Sequence, residues 1–298
     1  LRIKQGELNM NAKRLIKQLL PPAFFPIFQA FYNKVREIFT GKSHEIEYIP
    51  AGWDYVQKHP EIKGWNVPDW VETMVKGNLA YREMSAETNP LVPYKQDLAT
   101  EDALRDHNRI MILAYTLALA SRHKNSISIL DWGGALGHLY YPSRALLPSD
   151  ISLEFHCKDV PLVAEYGARS IPEIHFYSDE SCFERSYDVV MANASFYYSQ
   201  DWQRVFSSMA QASSGFILIT RLPIVSKAPS YVCLERLYRF RYNVETLCWI
   251  LNRSSFITES RRLNLTLVRE FITGQAYQIR RAPEQPIFKG FLFQVESV

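Results

Sequence analysis

The chain has 298 residues, 47% of them hydrophobic, enough to bury a sizeable core and too apolar for a disordered chain. Its 34 basic and 31 acidic residues leave a formal charge of +3, too small to mark a nucleic-acid binder. No apolar run reaches the roughly 18 residues that a membrane-spanning helix needs, and no signal-peptide pattern precedes Met10, the expected start, so a cytoplasmic protein is expected.

The segment from Met10 to Lys42 carries Lys13, Arg14, Lys17, Lys34, Arg36 and Lys42 against one acid, Glu37. Pro21, Pro22 and Pro26 break it into short helices, and its aromatics cluster between Phe24 and Tyr32. A basic, aromatic segment of this kind suits either an anionic membrane surface or packing on its own domain. Residues 1–42 are therefore expected as a basic amphipathic extension, with peripheral membrane contact through residues 10–42. Residues 43–99 are rich in Trp, Tyr and Pro and lack clean periodicity. They read as short helices and loops, with Val67–Met74 the strongest helix, forming either a lid over a substrate cleft or a packed cap without ligand contact.

From Thr100 the pattern alternates. A helix runs from Thr100, a good N-cap, to about Ser121. Apolar runs bounded by turns follow at Ser126–Asp131, Ile151–Cys157, Ile174–Tyr177, Tyr187–Ala192 and Gly215–Thr220. Helical stretches lie between them at His138–Leu147, Leu162–Ala168 and Asp201–Ala212. Such alternation predicts a parallel sheet with helical crossovers over residues 100–298. After Arg221 the pattern loosens. Val244–Asn252 reads as a helix and Phe288–Val295 as a last strand.

The most informative stretch is Asp131-Trp132-Gly133-Gly134-Ala135-Leu136-Gly137, at the end of an apolar strand and the start of a helix. Glycines there let the chain turn sharply and let a ligand approach the backbone. A dinucleotide fingerprint fails, because Ala135 and His138 occupy its second and third glycine positions. Cys157, Cys182, Cys233 and Cys248 have neither C-x-x-C spacing nor clustered His, so no metal site is expected. The Asn-x-Ser/Thr matches at Asn193, Asn252 and Asn264 read as chance.

The loop resembles the first motif of class I S-adenosylmethionine-dependent methyltransferases, an acid followed by G-x-G-x-G. Asp131, Gly133 and Gly137 match, Ala135 replaces the central glycine, and Gly134 stands beside it. The resemblance continues in order. Asp159 falls where the class places an acid on the ribose, ahead of Glu154, which lies mid-strand. Asp179 falls where an acid lies near the adenine amine. Tyr187–Asn193 looks like the fourth-strand motif, and Tyr197, Tyr198 and Asp201 continue it. The segments Leu20-Pro21-Pro22, Gly52-Trp53, Asp159-Val160-Pro161, Thr220-Arg221-Leu222-Pro223 and Lys289–Phe293 are also similar to a family of bacterial methyltransferases associated with surface-polysaccharide biosynthesis.

The resemblance implies an α/β, Rossmann-like fold with a mostly parallel seven-stranded sheet and an N-terminal helical extension. It implies S-adenosylmethionine as cofactor, held by Asp131, Gly133, Gly134, Gly137, Asp159, Asp179 and Asn193. It also implies a small-molecule or glycan acceptor. The residues that follow the strands, His138, Tyr197, Tyr198 and Arg221, are the candidates for catalysis. His138 has the pKa range of a general base, and Arg221 suits a phosphate or carboxylate on the acceptor. The other readings are a non-catalytic Rossmann-like scaffold in a biosynthetic complex and a nucleotide-dependent oxidoreductase or sugar-modifying enzyme.

Overall fold

The computed structural model describes residues 44–76, 101–238, 243–275 and 278–296. The basic Met10–Lys42 segment lies outside the described residues. Among the described residues of the unit that begins at His44 there are ten strands: β1 (His44–Tyr48), β2 (Ser126–Trp132), β3 (Ser152–Lys158), β4 (His175–Tyr177), β5 (Tyr187–Asn193), β6 (Ser213–Val225), β7 (Tyr231–Leu237), β8 (Glu245–Asn252), β9 (Leu265–Gln275) and β10 (Ile287–Val295). The helices are α1 (Glu101–Ala120), α2 (Tyr140–Leu146), α3 (Pro161–Ser170), α4 (Trp202–Ala212) and α5 (Arg253–Arg262).

The ten strands form one sheet rather than the seven-stranded one expected: its main part runs in the order β4-β3-β2-β5-β6-β10-β9, and β8, β7 and β1 continue from the end of β6. Pairing is parallel from β4 to β6, and β10 runs antiparallel to both β6 and β9. The central strands are apolar on both faces, as a sheet covered by helices requires. Alternate residues feed two cores. Leu130, Val190, Ile217, Ile219, Phe291 and Phe293 point to one side, where α4 and α5 add Phe206 and Phe256. Ile127, Ile129, Val189, Met191, Leu218 and Leu292 point to the other, where α1 adds Leu113 and Leu117. The chain winds from β2 to β3 on one side and resumes at β5 on the other. That reversal opens a crevice at the carboxyl ends of β2 and β5, where open α/β sheets bind ligands.

The stretch after Arg221 departs from expectation. Val244–Asn252 is strand β8, not a helix. Its apolar run is too short for periodicity to distinguish the two states. Pairing decides it: β8 lies between β7, antiparallel, and the end of β6, parallel, and six of its eight residues are buried, which leaves no polar helical face. Strand β1 adds to β7 and completes a small antiparallel extension of the sheet. In the 43–99 region β1 is a strand where only short helices and loops were expected. Gly52–Lys58 is 3-10 helical and residues 68–76 are helical.

Gly215 sits at the shift in register between β5 and β6, where Tyr187 pairs Ser213 but Val189 pairs Phe216. A Cβ there would lie 2.6 Å from the backbone oxygen of Asp188, which cannot swing away as a side chain would. Gly215→Ala is expected to destabilise the protein by about 1–3 kcal/mol, the usual cost of overpacking. In urea titration this lowers the midpoint without changing the slope. An unchanged midpoint would contradict the close strand approach.

Candidate functional site

A cavity of about 610 Å³ opens at the carboxyl ends of β2, β3 and β5, within the usual size range for small-molecule sites. The glycine loop forms one wall. Its turn needs left-handed backbone at Gly133 (φ +69°), Ala135 (φ +54°) and Gly137 (φ +71°). Ala135 therefore adopts a backbone conformation that favours glycine, at the cost of roughly 1–3 kcal/mol that left-handed non-glycine residues carry.

The glycines serve close packing. A Cβ on Gly133 would meet Ser195 Cβ at 2.3 Å, and one on Gly134 would meet the Asp131 carboxyl at 2.5 Å and Cys157 Sγ at 2.9 Å. Gly133 and Gly134 also line the cavity. Gly137 is not among the lining residues. Its missing Cβ makes room for Ile174 Cδ1, 2.2 Å from where that Cβ would stand.

Asp159 braces the loop. Its Oδ2 accepts the amide of Ala135 at 2.8 Å and its Oδ1 accepts the amide of Val160 at 2.8 Å. Pro161 at the first turn of α3 starts the helix directly behind it. Asp131, the last acid of β2, is buried in the same wall, and neither of its carboxylate oxygens has a hydrogen-bond partner among the described residues. Burial, then the charge of Asp159, push its carboxyl up to about 8, against the pull of Arg109.

Asn193 ends β5 and lines the cavity. Its Oδ1 accepts from Thr220 Oγ1 at 2.7 Å, which leaves its amide nitrogen as a donor. Asp179 is outside the cavity lining. It is exposed and caps the 3-10 helix Glu180–Glu184 through the Ser181 amide at 3.0 Å, and the Ser181 hydroxyl and amide hold its carboxyl below the usual range.

On the other side of the cavity the sequence candidates come together. His138 lines it, and burial, with the nearby charge of Arg109, takes its pKa down to about 4, so the ring is neutral at physiological pH. Tyr197 and Tyr198 follow β5 in a 3-10 turn. Tyr197 donates to the Tyr198 hydroxyl at 3.3 Å, and Tyr198 donates to Glu235 Oε2 at 2.7 Å. Burial and the Glu235 charge push both phenols above their ordinary range, so they act as hydrogen-bond donors. Arg221 sits at a bulge of β6, where the pairing with β10 slips between Lys289 and Phe291. Its left-handed backbone (φ +56°) re-aims the side chain to the cavity, as bulges near active sites do. The buried Nε of Arg221 has no hydrogen-bond partner among the described residues.

Three charged lining residues escaped the sequence reading. Arg109 stands four residues before Leu113 and eight before Leu117, on the buried stripe of α1. A cation on an apolar stripe was the available signal. Glu235 alternates with buried Cys233 and Leu237 in β7, an acid on an inward face. Lys158 ends β3 and lies 4.2 Å from the Trp132 ring centroid, a cation–π contact. From the segment expected as a cap, Trp65 and Trp70 line the cavity, with ring centroids 4.5 Å apart; Trp65 also lies 5.1 Å from Tyr198. Residues 77–99 of that segment lie outside the described residues.

No protein-family model matches the chain, and no curated protein matches it. Among solved structures, it is similar to magnesium protoporphyrin IX methyltransferase from Synechocystis with bound S-adenosylmethionine, at 9% identity and TM-score 0.46, over 74% of this chain and 91% of that one. It is also similar to 1,6-didemethyltoxoflavin-N1-methyltransferase from Burkholderia thailandensis, at 11% identity and TM-score 0.46, over 86% and 96% of the two chains. An S-adenosylmethionine-dependent methyltransferase from Clostridium acetobutylicum is similar at 9% identity and TM-score 0.43, over 73% and 100%. The strand order, rather than the degree of likeness, decides the architecture. The fold is Rossmann-like, an α/β fold with a mostly parallel sheet.

The raised pKa of Asp131 links stability to pH. The carboxyl is protonated when folded and ionised when unfolded, where its pKa is 3.8. Its contribution is therefore complete below about pH 4 and is lost as pH rises through about 8. In ligand-free protein, Asp131→Asn should flatten the fall in melting temperature between about pH 5 and 8. A parallel fall in variant and wild type would contradict the buried, protonated state.

Proposed function

We propose that this cavity binds S-adenosylmethionine against the loop Asp131–Gly137 and that the protein is a methyltransferase acting on a small polar acceptor, a sugar or glycan unit in surface-polysaccharide biosynthesis. One observation carries the reading: the cavity wall holds a buried acid, Asp131, whose two oxygens have no hydrogen-bond partner among the described residues. A buried carboxyl in this state favours a cationic ligand, which stabilises its ionised form. When bound, S-adenosylmethionine supplies an electrophilic methyl group on a positively charged sulfur.

The chain's own residues then divide by role. Asp131 faces the cationic portion of the cofactor, and Asp159 holds the loop while keeping further lone pairs for a hydroxyl. Gly133 and Gly134 keep the wall thin, and Asn193 donates from the end of β5. Gly137 and Asp179 act indirectly, by packing the loop and capping the neighbouring turn. Arg221 takes an anionic group of the acceptor, such as a carboxylate or phosphate. Trp65 and Trp70 offer flat faces to a sugar ring, and the Tyr197 and Tyr198 hydroxyls orient it. Closing the aromatic wall over the acceptor excludes water and aligns its nucleophile for in-line displacement. A hydroxyl acceptor also needs a proton acceptor. Neutral His138 is one candidate, weakened by its low pKa, and Glu235, reached through Tyr198, is the other.

The test is transfer of labelled methyl from S-adenosylmethionine to a panel of uronic acids and sugar phosphates. Transfer to an anionic member is expected. Arg221→Ala should lower it more than tenfold, the scale of a lost charged hydrogen bond, with S-adenosylhomocysteine affinity unchanged. Whichever of His138→Ala and Glu235→Gln removes the base should lower kcat by about 10²–10⁴-fold. Cofactor binding without transfer to any member would favour the scaffold reading.

A further inference from the structure

A second cluster of reactive side chains lies apart from the cavity, on the β3–β4 edge of the sheet. Glu154 and His156 are two residues apart on β3 and so share a face of the sheet. His175 of β4 pairs directly with His156 across the parallel ladder. The period of the strand and the register of the pair therefore bring one carboxylate and two imidazoles together. Their ligand atoms all lie within 4.8 Å of one another.

The inner histidine is already oriented as a metal ligand would be. The His156 side chain is 1% exposed. Its Nδ1 lies 3.1 Å from the Tyr177 hydroxyl, and its Nε2 lies 2.9 Å from Glu154 Oε1. A phenol hydroxyl can donate to Nδ1 or accept from it, so His156 can switch tautomer and turn a lone pair on Nε2 towards the carboxylate without losing its outer hydrogen bond. Metal-bound histidines commonly keep such a partner on the second ring nitrogen. His175 is exposed and stacks on His156 with centroids 4.7 Å apart, so its ring has room to turn its nitrogen inward. Arg185 also pairs with Glu154 Oε1, at 2.7 Å, but neither contact uses Oε2. Tetrahedral zinc sets its ligand atoms about 3.3 Å apart, so closure needs a shift of about 1.5 Å or less.

We propose that Glu154, His156 and His175 form a binding site for a divalent transition metal, with zinc the best match to two imidazoles and a carboxylate. The fourth position goes to water. This site is independent of the cofactor reading. Its effect is structural: β4 is three residues long and lies at the edge of the sheet. A metal shared between His175 and the two β3 residues would pin that strand to the strand that leads into Asp159.

Calorimetry of tag-free, chelator-treated full-length protein with zinc tests this, together with visible absorption on addition of cobalt(II). One ion per chain, tetrahedral cobalt bands and a melting temperature raised by roughly 5 °C at hundredfold excess over the dissociation constant are expected. His175→Ala changes an exposed side chain and should preserve the circular dichroism spectrum. It should weaken zinc binding at least about tenfold and, at the same zinc concentration, cut the thermal shift to about half or less. Glu154→Gln should also weaken binding. Failure of the wild type to bind zinc stoichiometrically, or equal affinity in wild type and His175→Ala, would overturn the site.

Discussion

Two carboxyl groups buried in one wall of the cavity govern the character of this protein. Asp159 is matched: two backbone amides donate to it, and through Ala135 it ties the glycine loop to the end of β3. Asp131 has no such donors among the described residues, and the charge of its neighbour adds to the cost of ionising it. Two acids this close in a dry wall do not both ionise readily unless a cation stands near. Arg109 supplies part of that field from α1. A positively charged ligand would supply more.

Backbone strain gathers around the same place. Ala135, Ala194 and Arg221 all hold left-handed backbone, and all three line the cavity. Such residues persist where the surroundings over-determine them, and here parallel pairing of β5 with β2 and β6, together with the β6–β10 bulge, does so. The antiparallel extension made by β1, β7 and β8 adds what the main sheet lacks. It carries Glu235 and Thr246 to the cavity, so one side of the cavity is built by the mostly parallel strands and the other by this antiparallel extension.

Local constraints were legible in the sequence and long-range ones were not. The Asp131–Gly137 turn could be read because glycine requirements are written in consecutive residues. Strands β2 to β6 could be read because apolar runs alternate with helical stretches. Strand β8 reads as a helix in the sequence because its neighbours, not its own pattern, decide its state. Strands β1, β7 and β9 gave no usable signal. The position of Asp159 just after β3 is legible in the sequence, but its hydrogen bond to the loop depends on a fold that brings the Ala135 amide within 2.8 Å. Arg109 and Glu235 were missed because each is a charge on an otherwise buried face, a pattern that acquires meaning only when the cavity beside it is known.

The most direct test is calorimetry of S-adenosylhomocysteine, the uncharged-sulfur product, and S-adenosylmethionine, run near pH 7 in buffers of different ionisation enthalpy. Both ligands should bind once per chain. S-adenosylmethionine should release a proton from the Asp131 carboxyl as it binds, and Asp131→Asn should abolish that release. Absence of binding by either ligand, or proton release unchanged in Asp131→Asn, would contradict the assignment of this wall to the cofactor.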